Sequence, residues 1–307
     1  LIMKYISEEE VAKNLEMRDV IDVLEEAFIE YGKGNAIADS RIRTMMDGKI
    51  LNSMPAIFSK YKIAGLKVYF ATKTGARFVV LVFNTETNDL EAILEADKLG
   101  QIRTGALTAM VSRKIVREKS PVVSIIGSGY QAETQLEGLL CVYDPQNVIV
   151  YSRNLKNAEI FASKMSAKFG VEIDVARTAK EAVSGARIIN TITSSSSPIF
   201  SLKELSDEFH LNLAGANLPF RREVDRDVLE GSDIIIAEHF EQALKESAEI
   251  ADYFASHGRM KIIELKDFLV SGRDYNIRRS VFKSMGIGLE DIASAYLVLK
   301  KMGLYWD

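Results

Sequence analysis

Hydrophobic and polar positions alternate with two different periods along this chain, and the change of period divides it. Ser7 followed by Glu10 is a capping-box pattern, with Val11 and Leu15 as an apolar stripe behind it. Val20, Leu24, Ala27, Phe28 and Tyr31 recur at helical spacing, and Gly32 and Gly34 close that second helix. From Arg41 the pattern turns to strands. Over Lys62 to Thr72, Ala64, Leu66, Val68 and Phe70 face one way, while Ile63, Gly65, Lys67, Tyr69 and Ala71 face the other. Phe78 to Phe83 is a further strand, Asn84 to Asp89 a polar turn, and Leu90 to Ala96 the returning strand. These segments predict an antiparallel sheet. Gln101 to Arg117 predicts a helix with Ile102, Leu107, Met110, Val111 and Ile115 on its apolar face and Arg103 in its first turn.

The middle of the chain reads differently. Ser120 to Ile126 is a short apolar run, followed at once by Gly127-Ser128-Gly129-Tyr130-Gln131-Ala132 and a helical stretch from Glu133 to Val142. Strand, GxGxxA and helix in that order form a dinucleotide-binding fingerprint. The first glycine permits the tight turn, the second lets backbone approach a pyrophosphate, and the small last residue allows close packing of helix on strand. Strand–helix alternation then continues through Val148 to Tyr151, Leu155 to Phe169, Val171 to Val175, Ala186 to Thr193, His210 to Ala214 and Asp233 to Ala237. The expected fold is α/β: a Rossmann-type doubly wound parallel sheet plus a second α+β domain. Where an acidic residue would bind the ribose 2′-OH of NAD, this chain has Tyr151-Ser152-Arg153-Asn154. Ser152 and Arg153 suit a 2′-phosphate, so NADP(H) is favoured over NAD(H).

Composition narrows the function. A length of 307 residues suits two domains. With 39 basic and 43 acidic residues the net charge is −4, which argues against a nucleic-acid partner. Cys141 is the single cysteine, so no intramolecular disulfide can form, which favours a reducing, cytoplasmic setting. His210, His239 and His257 do not stand at metal-ligand spacing, and no metal is expected. The N-terminus lacks a signal-peptide pattern, Met3 is a candidate start, and no apolar run reaches membrane-spanning length.

Several motifs occur in a fixed order: Met54-Pro55-Ala56, Gly65-Leu66-Lys67, Ile102-Arg103-Thr104-Gly105-Ala106, the glycine loop, Thr191-Ile192-Thr193, Gly215-Ala216-Asn217 with Arg222-Glu223, Val281 to Gly286, and Glu290-Asp291-Ile292-Ala293. This combination resembles the ornithine cyclodeaminase/mu-crystallin family, which also holds archaeal-type alanine dehydrogenases and ketimine reductases. The resemblance implies a homodimer. Residues 1–115 with 285–307 would form the substrate-binding and dimerisation domain, and 116–284 the dinucleotide domain.

It also implies hydride transfer between nicotinamide and the Cα–N bond of a small α-amino or α-imino acid. Arg43, Arg103 and Met54 would then bind substrate and Lys67 would be the acid/base. Thr104, Gly127, Ser128, Gly129, Tyr130, Gln131, Ser152, Arg153, Thr191, Thr193, Ser284 and Gly286 would hold the cofactor. Lys67, placed among cations, is expected to have a lowered pKa.

Asn217 stands where cyclodeaminases and alanine dehydrogenases of the family carry an aspartate. An amide cannot take a proton, which weakens amino-acid deamination and leaves imine reduction open. It also keeps a non-catalytic, NADPH-dependent small-ligand binder of mu-crystallin type as the alternative. Glu223 and Asp225, nearby in sequence, are expected at the surface. The chain passes directly from Ala71-Thr72-Lys73-Thr74-Gly75 into Phe78, where family members usually have a longer, proline-containing loop.

Overall fold

The computed structural model describes residues 3–273 and 277–306. In chain order the elements are β1 (Lys4–Ile6), α1 (Glu8–Lys13), α2 (Met17–Gly32), β2 (Ala36–Ala38), β3 (Ile42–Met46), β4 (Lys49–Phe58), β5 (Ile63–Thr72), β6 (Gly75–Asn84), β7 (Leu90–Glu95) and α3 (Asp97–Ile115). There follow β8 (Val122–Ile126), α4 (Tyr130–Val142), β9 (Asn147–Tyr151), α5 (Leu155–Phe169), β10 (Asp174–Val175), α6 (Ala179–Val183), β11 (Ile188–Thr191), β12 (Phe209–Leu213) and α7 (Arg226–Glu230). The chain closes with β13 (Ile234–Ala237), α8 (Phe240–Glu246), α9 (Ala248–His257), β14 (Ile262–Glu264), α10 (Leu265–Val270), β15 (Arg279–Lys283) and α11 (Gly288–Lys301). Two compact units result: residues 1–106 with 286–307, and residues 107–285. The first division falls inside α3, not after it.

In the first unit, β1-β7-β6-β5-β4-β2 form a sheet, with β3 also on β4. The pairs are antiparallel except β1 on β7, which is parallel. Ser7 closes the capping box of α1 with Glu10, as its spacing predicts. The inner face of the sheet packs on α2 and α11, burying Val20, Leu24, Phe28, Ile292 and Leu299. Gly65 lies under α11, where a Cβ would collide with the Leu81 carbonyl and crowd Ile292. On the outer face, Leu51, Ile57 and Phe70 are 45, 45 and 47% exposed.

α3 begins at Asp97, so Arg103 lies in its second turn and not beside the free amides of its first. Gly100 sits within this helix because space is needed there: an added Cβ would stand 2.8 Å from Lys67 Nζ.

In the second unit, eight strands run in the order β10-β9-β8-β11-β12-β15-β13-β14, every pair parallel. Apolar clusters cover both faces, as a doubly wound sheet requires. One face carries Val123, Ile125, Ala132 and Leu136, and the other Leu211, Leu213, Val224 and Val281. The parallel alternation expected from the sequence is present. Two strands went unforeseen: β14, and β15, which sits between β12 and β13. A chain of buried amides fixes α4 on this sheet. Gln135 accepts from Thr108 and Asn190 (both 2.8 Å), and Asn212 donates to Asn190 at 2.6 Å.

Candidate functional site

Each unit carries one constellation. In the second, the fingerprint forms the turn from β8 into α4. Gly127 has φ +117, and a Cβ there would lie 2.5 Å from the Ile192 carbonyl, so only glycine fits. Gly129 has no neighbour in front of it, and the α4 N-terminus, an end that attracts anions, has no side-chain cap.

A cleft of about 580 Å³ opens here. It brings together Gly127, Ser128, Gly129, Tyr130, Gln131, Ser152, Arg153 and Thr193, all sequence-nominated. Gln131 Oε1 is buried without a hydrogen-bond partner, an acceptor aimed at nothing in the protein. Open space over Gly129, a helix N-terminus without a side-chain cap and an orphaned acceptor fit a dinucleotide. Ser152 and exposed Arg153 follow β9 with no carboxylate among Tyr151 to Asn154.

Other nominated residues lie elsewhere. Thr191 is fully buried, and its hydroxyl donates to Glu223 at 2.9 Å, so its side chain stands behind the cleft wall and not on it. Ser284 is 5% exposed and donates to Glu238 at 3.2 Å. Asn217 is half-buried, two residues beyond cleft-lining Gly215. Thr104 and Gly286 belong to the first unit, where the Thr104 hydroxyl donates to the Gly100 carbonyl. Glu223 overturns its expected surface position: it is fully buried and accepts five hydrogen bonds. Asp225 is exposed and caps α7.

The first unit's constellation is a buried charge cluster. Lys67 is 3% exposed on the inner face of β5. Its Nζ donates to Asp291 Oδ1 at 2.9 Å. Arg103 faces Glu290 at 2.9 Å through Nη1 and Asp291 at 3.3 Å through Nε. Arg41 donates to the Gly286 carbonyl at 3.1 Å, and a Cβ on Gly286 would lie 2.9 Å from Arg103 Nη1. Arg43 is half-buried on β3 opposite Asn52, on the sheet face that Lys67 shares. Met54, buried at 1%, stands directly across the ladder from Lys67.

The Lys67 pKa is lowered, but burial is the largest cause; Arg103 and Arg41 lower it further, and Asp291 opposes them. The neighbouring cations expected from the sequence thus contribute, but burial dominates, and the α11 carboxylate of Asp291 acts the other way. Among the described residues, no group of His, Cys, Asp and Glu could hold a metal ion, and no helix is long and apolar enough to cross a membrane.

Residues 3–303, nearly the whole chain, match the ornithine cyclodeaminase/mu-crystallin family. The chain belongs to that family. It is 28% identical to a Delta(1)-pyrroline-2-carboxylate reductase of Bacillus cereus, an alignment covering 97% of this chain and 96% of that one. Among solved structures, Thermococcus litoralis Delta(1)-pyrroline-2-carboxylate reductase in complex with NADH and L-proline superposes with a TM-score of 0.90. It is 26% identical and covers 99% of this chain and 100% of that one. An archaeal alanine dehydrogenase dimer with bound NAD also gives a TM-score of 0.90 at 26% identity, over 97% and 95% of the two chains.

Proposed function

We propose that this protein reduces a small α-imino acid, of the cyclic pyrroline-carboxylate kind, to the matching α-amino acid at the expense of a nicotinamide cofactor. Family membership makes it a nicotinamide-dependent enzyme of amino or imino acids; the direction and substrate are the proposal. The observation that carries it is Lys67, buried and held by Asp291, in a chain with an amide at position 217. Reduction of an imine needs a proton donor at nitrogen. Lys67 is such a donor, and burial makes its ammonium readier to release the proton.

Arg41, Arg43, Arg103 and Lys67 share this face with Glu290 and Asp291, and a cluster of guanidinium groups of this kind suits a substrate carboxylate. Arg103 is held in place by the two acids, and its planar guanidinium, with those of Arg41 and Arg43, offers the paired donors that suit a carboxylate. The bound nicotinamide supplies the hydride. The glycine loop and the α4 N-terminus would hold its pyrophosphate.

The test is a panel of cyclic imino acids and amino acids followed at the nicotinamide absorbance, with both cofactors side by side. Cofactor oxidation with Delta(1)-pyrroline-2-carboxylate is the expected result. Deamination of amino acids without imine reduction would overturn it. Tight NADPH binding with no turnover would establish the non-catalytic binder.

NADPH is expected to bind more tightly than NADH, through Ser152 and Arg153. Arg153→Ala should then cost NADPH about ten- to a hundredfold in affinity and leave NADH unchanged. Equal wild-type dissociation constants would refute the preference.

A homodimer is part of the same proposal. The outer sheet face presents Leu51, Ile57 and Phe70 together with half-exposed Leu66, Val68, Leu81 and Ile93, an apolar surface of the kind that a second subunit covers. Light scattering should give about twice the chain mass, and Phe70→Glu should shift the population to monomer. A wild type that is monomeric at micromolar concentration would count against it.

A further inference from the structure

We propose that Glu223 is the positioning residue of the dinucleotide cleft, holding the loops after β11 and β12 in the shape that the cofactor needs. The inference rests on the dinucleotide reading of that cleft. Glu223 Oε1 accepts from the Thr193 amide and the Thr193 hydroxyl, both at 2.8 Å. Oε2 accepts from the Thr191 hydroxyl and the Gly215 amide, both at 2.9 Å, and from the Ala216 amide at 3.2 Å. One carboxylate thus ties the end of β11 and Thr193, just beyond it, to Gly215 and Ala216 beyond the end of β12. Thr193 and Gly215 are the residues of these two loops that line the cleft beside the glycine turn.

The arrangement extends to both sides of the node. Ile192, next to Thr193, sets its carbonyl against Gly127, so a shift of this loop reaches the glycine turn directly. Gly215 is pressed so closely on Thr193 and the Glu223 carboxylate that a Cβ there would collide with both. From the other direction, fully buried Lys283 donates to the Ala216 carbonyl at 2.6 Å. Glu249 stands 3.9 Å from Lys283 and accepts from the Glu223 amide at 2.8 Å. The peptide groups around Ala216 are therefore gripped at N–H by the accepting Glu223 carboxylate and at C=O by the donating Lys283 side chain.

Glutamine at position 223 has nearly the same shape but cannot do this work. Whichever way its amide is turned, an NH₂ group faces backbone amides that cannot reorient: Thr193 on one side, Gly215 and Ala216 on the other. E223Q is expected to weaken NADH and NADPH binding by about ten- to a hundredfold, measured by nucleotide fluorescence or calorimetry, while far-UV circular dichroism shows a folded protein. A role in stability alone would lower the melting temperature and leave the dissociation constants of the folded protein unchanged. That outcome would overturn the proposal.

T191V keeps the side-chain volume and removes one donor to the same carboxylate without touching the cleft surface. It should weaken both cofactors by about two- to tenfold. It decides the question if E223Q does not fold: unchanged affinity in T191V overturns the proposal. Wild-type protein that binds neither cofactor would overturn the dinucleotide reading itself.

Discussion

Lys67→Met is expected to lower kcat by about 10²- to 10⁴-fold, with cofactor affinity unchanged. Methionine fills nearly the volume of lysine in a position 3% exposed, so packing against Gly100 and the Phe78 ring, 5.4 Å from Nζ, is largely kept. What is lost is the proton donor. Because protonation of the imine nitrogen is needed on the way to the transition state, the loss should appear in kcat more than in KM. Arg41→Ala should show the opposite split. It withdraws carboxylate binding that ground and transition states share, so KM should rise while kcat changes little. The measurement is steady-state kinetics on whichever imino acid the wild type reduces. Near-normal turnover by Lys67→Met would remove Lys67 from the chemistry.

Local signals in the sequence were enough for much of this arrangement. The α5 bounds, Leu155 to Phe169, match the helical stretch of the sequence, and the structure shows Asn154 capping its start and Gly170 its end. The turn at Gly127 and the strand and helix around it are legible because the geometry imposes its residues within a few positions. The face of β5 that carries Lys67 followed from period-two alternation.

What escaped was set by contacts distant in sequence. Asp291 lies 224 residues from Lys67, and Glu290 187 residues from Arg103. No periodicity in either segment announces that they meet. β15 enters the sheet between two earlier strands, an order that short-range pattern does not carry. Glu223 in an irregular polar stretch looks like a surface residue, since the donors that justify burying it come from two other loops. The start of α3 was missed at Gly100, a residue type that usually marks an ending and here makes room for an ammonium group.

Asp291→Asn is expected to move the alkaline limb of the pH–rate profile to lower pH and to destabilise the fold. Burial, Arg103 and Arg41 all lower the Lys67 pKa, and the charge and hydrogen bond of Asp291 raise it. Removing that opposition lowers the pKa further. Lys67 donates its proton as an ammonium, so activity is present below its pKa and lost as pH rises through it. The limb seen in kcat/KM for the free enzyme must therefore shift downward. Stability should fall by about 3–5 kcal/mol, because a buried pair loses the charge of one partner and Lys67 loses its carboxylate. The double variant K67M/D291N separates the two effects. It removes the stranded cation along with its partner, so it should be more stable than D291N alone in a chemical denaturation series. Its rate should stay at the level of Lys67→Met, since no proton donor returns. An unshifted pH limb in D291N, or a double variant no more stable than D291N, would show that Asp291 does not govern the charge state of Lys67.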